Sequence, residues 1–220
     1  MSQEREEIIQ CPKCGAEGPF TVWESINIDL DPEQRDRIFN EDLFVWTCPE
    51  CGAKVFVPMS FLYHDMKHKL MAFFDFDDEV DPCQEDAVEV PEMFSNLGEY
   101  RYRTVHGLMN LKEKIMMTDC GLNDVAVEYM KYCIKHLIYP EHFEEGEELR
   151  FVTVDKEDDR DEFFLVFTVL GAEDNKGGFK FPLSNYIEYA EKVNTDPRFD
   201  ASKCVNVCEK WVESKLKQIC

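Results

Sequence analysis

Basic charge is what this 220-residue chain has least of: 24 lysines and arginines stand against 46 aspartates and glutamates, for a formal charge of −22 at pH 7. The imbalance is general, since the first 80 residues hold 7 basic and 17 acidic side chains and the remainder 17 and 29. Such a surface repels phosphate backbones, so the counterion release that drives most nucleic-acid binding is not available to it on average. A nucleic-acid partner is therefore disfavoured. No apolar run reaches eighteen residues, and no membrane span is expected. The stretch Met1–Glu7 is acidic and lacks the apolar centre of a secretory signal, which makes a cytoplasmic protein the expectation. Also missing are a Gly-rich phosphate loop, a nucleophile elbow, a kinase signature and a dinucleotide fingerprint, and the lone Gly177-Gly178 reads as a turn.

What is present begins with enough apolar residues, 44%, and enough aromatics, 13%, to build cores in one large domain or two small ones. Four of the ten cysteines fall into one phrase written twice, Cys11-Pro12-Lys13-Cys14-Gly15 and Cys48-Pro49-Glu50-Cys51-Gly52, with 33 residues between the pairs. Proline after the first cysteine fixes φ for a tight turn, and glycine after the second can take the left-handed conformation that turns backbone N–H groups toward sulfur. Two such knuckles supply four thiols, which close a tetrahedral ion and leave it no vertex for water or substrate. Zinc is the expected ion, with iron of the same four-sulfur geometry the less favoured alternative in a domain showing no other electron-transfer feature. Thiol redox catalysis needs one reactive thiolate at a helix start within a βαβ unit, and the flanks here read as strands. The remaining cysteines, Cys83, Cys120, Cys133, Cys204, Cys208 and Cys220, are scattered and read as small apolar residues or idle surface thiols.

Around the knuckles, Phe20 to Ile28 alternates as a strand, and Asp29-Leu30-Asp31-Pro32 opens a short helix running to about Phe39. Leu43 to Thr47 and Lys54 to Pro58 are strands entering and leaving the second knuckle, and Leu70 to Phe74 is a strand that closes the module before an acidic exit. The paired C-P-x-C-G knuckles, the segment Trp23 to Pro32 between them and Phe61-Leu62-Tyr63-His64-Asp65 after them resemble the CpXC family of bacterial and archaeal proteins. The resemblance covers roughly the first 80 residues and runs on toward residue 125. It implies a zinc-binding module of unknown role and brings no catalytic residues with it.

The one pattern pointing to an enzyme is His64-Asp65-Met66-Lys67-His68. On a helix its histidines would share a face, similar to the H-E-x-x-H of zinc peptidases with Asp65 in the position of the general base. Aspartate is one methylene shorter, no third ligand is evident, and the neighbouring aromatics favour strand ends, so a polar turn or short helix is the plainer reading. Asn27 and Asp29 join His64, Asp65 and His68 as candidates for a functional surface, although turn formation and helix capping account for them equally.

From Val80 to Gly98 the chain reads as an acidic connector, which sets a zinc module at 1–80, a connector at 81–98 and a second domain at 99–220. That domain is expected to contain helices at Val105 to Met117 and Leu122 to Ile138, stopped by Pro140. Three strands at Leu149 to Val154, Phe163 to Leu170 and Phe179 to Phe181 then form an antiparallel meander, and helices at Pro182 to Val193 and Ser202 to Ile219 finish it. The charged link Asp155 to Glu162 lacks the glycine and terminal glutamate of an EF-hand loop and reads as a solvated hairpin tip. Cys204 and Cys208, four apart on the last helix, read as packing. The expected fold class is α+β: a small β-rich, zinc-ribbon-like N-terminal module followed by helices and an antiparallel meander. The function that follows is a non-catalytic adaptor that binds a protein partner, with a metal-dependent hydrolase using His64 and His68, or a zinc-ribbon nucleic-acid binder, as alternatives.

Overall fold

In a computed structural model, described here for residues 2–78, 90, 100–157, 162–171 and 177–217, the chain is of mixed α+β class. It divides into two compact units, one of Met1–Glu79 with Pro91–Lys112 and the other of Val80–Val90 with Glu113–Cys220. Apart from Val90, the acidic connector read at 81–98 lies outside the described residues. No described helix is long and apolar enough to cross a membrane.

The first unit is built on a mixed five-stranded sheet. Strands β1 (Gln3–Gln10) and β2 (Glu17–Asn27) form an antiparallel hairpin, β5 (Phe61–Asp65) lies parallel to β2, β6 (Leu70–Asp75) returns antiparallel to β5, and β7 (Arg101–His106) runs parallel to β6. Between β2 and β5 come helix α1 (Glu33–Asn40) and a second, short antiparallel hairpin of β3 (Val45–Thr47) and β4 (Lys54–Phe56). Helix α1 follows the Asp31-Pro32 signal, carries Glu33 and Asp36 in its first turn and Arg37 in its last, and stops where Glu41 takes a left-handed φ of 66°. The core is aromatic. Phe44 is fully buried and lies 6.3 Å from Phe61 and 6.4 Å from Phe74 between ring centres, while Phe61 and Phe74 are 5.0 Å apart.

Helix α2 (Leu108–Asp119) passes from one unit to the other at Lys112, and α3 (Asp124–Cys133) follows after Asn123, whose side chain accepts from the Val125 N–H as a helix cap. A wider π-turn at Ile134–Ile138 ends α3 before Pro140, as the proline signal implied. The meander forms as expected, with β9 (Glu162–Leu170) between β8 (Glu148–Glu157) and β10 (Gly178–Pro182), all antiparallel. Most of the charged link between β8 and β9 lies outside the described residues. Helices α4 (Leu183–Thr195) and α5 (Glu209–Lys217) complete the unit. One apolar cluster joins Met130 and Ile134 to Phe151, Leu165 and Phe167, and another joins Tyr129 and Cys133 to Phe199, Val207 and Trp211.

Two local expectations are corrected. The segment Arg101–His106 is strand rather than the start of the first helix. The last helix begins at Glu209, so Cys204, which is buried in a bridge, and Cys208 are not on it. Both belong to packed surroundings, and burial pushes the Cys208 thiol up to about 11.

The second unit also contains a buried group of charges that no motif announced. Lys131 on α3 lies 2.9 Å from Glu113 on α2 and 3.0 Å from Glu128, and Arg150 on β8 reaches the other oxygen of Glu113 at 2.8 Å. Glu113 also accepts the Phe151 backbone N–H at 2.7 Å. Burial favours the neutral acid, but Lys131 and Arg150 outweigh it and hold the Glu113 carboxyl below its ordinary range; at Glu128 burial wins and the carboxyl is raised. Nearby, Lys114 donates to Asp124 and to the Val207 carbonyl, each at 2.9 Å.

Candidate metal centre

The two cysteine phrases form the tips of the two hairpins, β1–β2 and β3–β4, and they fold identically. In the first, the Cys11 N–H donates to the Ala16 carbonyl at 2.8 Å and the Gly15 N–H to the Cys11 carbonyl at 2.9 Å. In the second, the Cys48 N–H donates to the Ala53 carbonyl at 2.8 Å and the Gly52 N–H to the Cys48 carbonyl at 3.0 Å. Gly15 and Gly52 sit at φ +75° and +67°, and an added Cβ at either would meet nothing within 4 Å. The glycines are therefore required by backbone conformation and not by space. Gly15→Ala and Gly52→Ala should each cost about 1–2 kcal/mol, the price of a left-handed non-glycine residue, and chemical denaturation of the metal-loaded variants checks this.

The hairpins bring the four sulfur atoms to within 4.8 Å of one another, with Cys11 to Cys51 and Cys14 to Cys48 each 3.6 Å. A tetrahedral ion with metal–sulfur bonds of about 2.3 Å needs sulfur–sulfur edges of about 3.8 Å, whereas a disulfide needs about 2.05 Å. The spacing fits four thiolates around one metal ion. Cys11 and Cys48 are buried, Cys51 is half-buried and Cys14 is exposed. Without an ion the thiols conflict. Burial opposes ionisation of Cys11, but backbone N–H groups of Cys14 and Lys13 and the adjacent thiols overcome it and bring that thiol down to about 6. At Cys14 a backbone N–H at Ala16 favours the thiolate, yet Cys51, burial, Cys48 and Cys11 together push the thiol up to about 12. A divalent cation removes the conflict by stabilising all four thiolates at once.

The hairpins are also tied by apolar and polar contacts. The Trp46 indole N–H donates to the Pro19 carbonyl at 3.1 Å, and Gly18 lies so close to the Trp46 ring that an added Cβ would sit 3.0 Å from it. A family model described as CpXC protein matches residues 9–131, more than half of the chain. The chain belongs to the CpXC family. No match was found among curated proteins or among solved structures. The CpXC match spans both knuckles and everything between them, so the cysteine geometry lies inside the segment that defines the family.

The other residues singled out from the CpXC sequence lie in two groups. Asn27 and His64 are register partners on β2 and β5, and their side chains approach to 3.5 Å, with the other imidazole nitrogen 3.1 Å from the Tyr100 hydroxyl. Asn27 organises the turn after β2: its carboxamide oxygen accepts the Asp29 N–H at 3.0 Å, and its backbone carbonyl accepts the N–H groups of Leu30 and Asp31. Asp29 accepts the Met66 N–H at 2.7 Å, which ties this turn to the one between β5 and β6. Burial lowers the His64 pKa below its ordinary value, so the imidazole is neutral at pH 7. Asp65, next along the strand, projects to the opposite face, is buried, and accepts both the His68 backbone N–H and the His68 imidazole at 2.7 Å. His64 therefore stands on a strand and His68 in a turn, and they do not share a helical face. Tyr100 and Met66 were not foreseen as members of this group. Tyr100 is 36 residues from His64 and reaches it only because β7 pairs with β6.

Proposed function

We propose that the protein is a non-catalytic interaction module in which one zinc ion, held by Cys11, Cys14, Cys48 and Cys51, fixes a β platform for a protein partner. The observation that carries this reading is the sulfur cluster, whose 3.6 Å edges match a closed four-thiolate ion with no vertex left for substrate. Zinc is preferred to iron because structural four-cysteine sites of this kind need no redox function, and none is suggested elsewhere in the unit.

The contact face in this reading is the pair of turns locked by Asn27 and Asp29. They present Leu30, 60% exposed, and Met66, 48% exposed, beside His64 and Tyr100. Two large apolar side chains held out on hydrogen-bonded turns are a suitable anchor for a partner surface. Asp65 and His68 act as positioning residues that brace the second turn from below. A hydrolase is less well supported, because His64 stands on a strand and His68 in a turn, so the two do not share the helical face that such a site needs.

Cross-linking coupled to mass spectrometry, comparing the zinc-loaded protein with a Leu30→Asp, Met66→Asp double variant of equal metal content, tests the assignment. Partner binding should weaken by at least about tenfold in the variant, as expected for loss of an interface anchor. Unchanged binding, or turnover of a defined substrate by the purified protein, would count against it.

A further inference from the structure

The two 3.6 Å sulfur contacts both run between the knuckles and not within them: Cys11 faces Cys51 and Cys14 faces Cys48. The four ligands are also unequally accessible, since Cys14 is exposed while its neighbour Cys48 is only 2% exposed. An oxidant reaching the cluster from solvent meets Cys14 first and finds a second thiol waiting behind it. From these two observations we infer that Cys14 is an oxidation site for peroxides, resolved by Cys48 into a disulfide that joins the two hairpins.

The chemistry balances with the peroxide as the only co-reactant. The Cys14 thiolate attacks one peroxide oxygen, the O–O bond breaks, and the departing hydroxide takes up a proton as water, leaving Cys14 as sulfenic acid. The Cys48 thiolate then attacks that sulfur, the S–O bond breaks, and a second hydroxide leaves and is protonated to water. Two thiolates, one hydrogen peroxide and two protons thus give one disulfide and two waters. The Cys14 and Cys48 sulfurs must close from 3.6 Å to about 2.05 Å. Cys11 and Cys51, equally near, are left to form a second staple with a further equivalent of peroxide.

This outcome differs from that of a C-x-x-C redox motif, where the disulfide forms inside one turn. Here each knuckle keeps its turn, and a covalent link replaces the ion between the same two hairpins. With two thiolates consumed the site no longer offers four ligands, so oxidation and metal release go together. The inference rests on the metal reading above, because the bound ion is what holds Cys14 and Cys48 as thiolates together.

The sequence makes the pairing readable. Lys13 stands between Cys11 and Cys14, and Glu50 between Cys48 and Cys51, so trypsin and a glutamate-specific protease together separate all four cysteines. The full-length protein, reduced and loaded with zinc, is treated with hydrogen peroxide in a Cys120→Ser background, because Cys120 is also exposed. Disulfide-linked peptides are then mapped against time while a chromogenic chelator follows released zinc. The expected result is a Cys14–Cys48 peptide appearing first, in step with one zinc released per chain, and a Cys11–Cys51 peptide later. A Cys11–Cys14 or Cys48–Cys51 disulfide as the main product, or sulfinic acid at Cys14 with no linked peptide, would overturn the inference. If no zinc is bound at the outset the metal reading fails and this inference with it, whereas zinc bound and then released with a different disulfide overturns the inference alone.

Discussion

Cys48→Ser should leave the N-terminal unit unfolded at neutral pH, and a strong chelator should do the same to the native protein. Structural zinc in four-ligand sites contributes on the order of 10 kcal/mol to folding, as much as the whole stability of an ordinary domain. The local architecture explains why the hairpins depend on the ion. Strands β3 and β4 have three residues each, too short for an independent hairpin, and Val45 to Thr47 are held to the larger sheet's hairpin by the cysteine cluster and the Trp46 to Pro19 hydrogen bond. Trp46 and Trp23 are both buried in this unit and Trp211 in the other, so a fall in tryptophan near-ultraviolet circular dichroism to the Trp211 contribution reports the change. The helical far-ultraviolet signal should largely persist, because the second unit has its own apolar clusters. An intact tryptophan signal in the metal-free variant would mean that the hairpins stand without an ion.

Lys131→Met should destabilise the second unit by about 3–5 kcal/mol, the usual cost of removing one partner from a buried ion pair. Lys131 is the cation between Glu113 and Glu128, and all three are at most 4% exposed. Glu113 keeps Arg150 and the Phe151 N–H, so most of the penalty falls on Glu128, whose carboxyl burial already raises. A buried acid with a raised pKa binds more protons folded than unfolded, so its stability penalty grows as pH rises and is relieved by acid. The Lys131→Met deficit should accordingly shrink as pH falls and Glu128 takes up a proton. Lys131→Met combined with Glu128→Leu should recover most of the loss, since replacing both charges by apolar groups removes the unpaired ion. Urea denaturation at two pH values checks both statements. Equal deficits in the single and double variants would show that packing of the long lysine stem, and not charge, is what matters there.

The four-cysteine cluster was legible because its information is local: proline and glycine at fixed places in Cys11–Gly15 and Cys48–Gly52 dictate the turns, and the alternation of apolar residues after each dictates strands. The meander and α4 were legible for the same reason. Strand β1 was not, because Gln3–Gln10 is almost wholly exposed and carries no apolar alternation; it is a strand only because β2 offers it an edge, and its charges suit an outer strand. Strand β7 was hidden by Arg101, Arg103 and His106, and its pairing is parallel to a strand some thirty residues earlier, which no short-range pattern encodes. Asn27 and Asp29 could be flagged as turn formers, but that their turn would be tied to Met66 depends on β2 and β5 lying side by side. No short-range pattern marks the charges on α2 and α3 as buried. Only the arrival of Arg150 from β8 makes a buried network of them.

Elemental analysis of the purified protein is the most direct measurement of the central claim. One zinc per chain, falling to none in Cys48→Ser with the other cysteines intact, is the predicted result. A folded protein carrying no metal, or one whose zinc content is unchanged by the loss of Cys48, would contradict the four-thiolate centre on which the whole account stands.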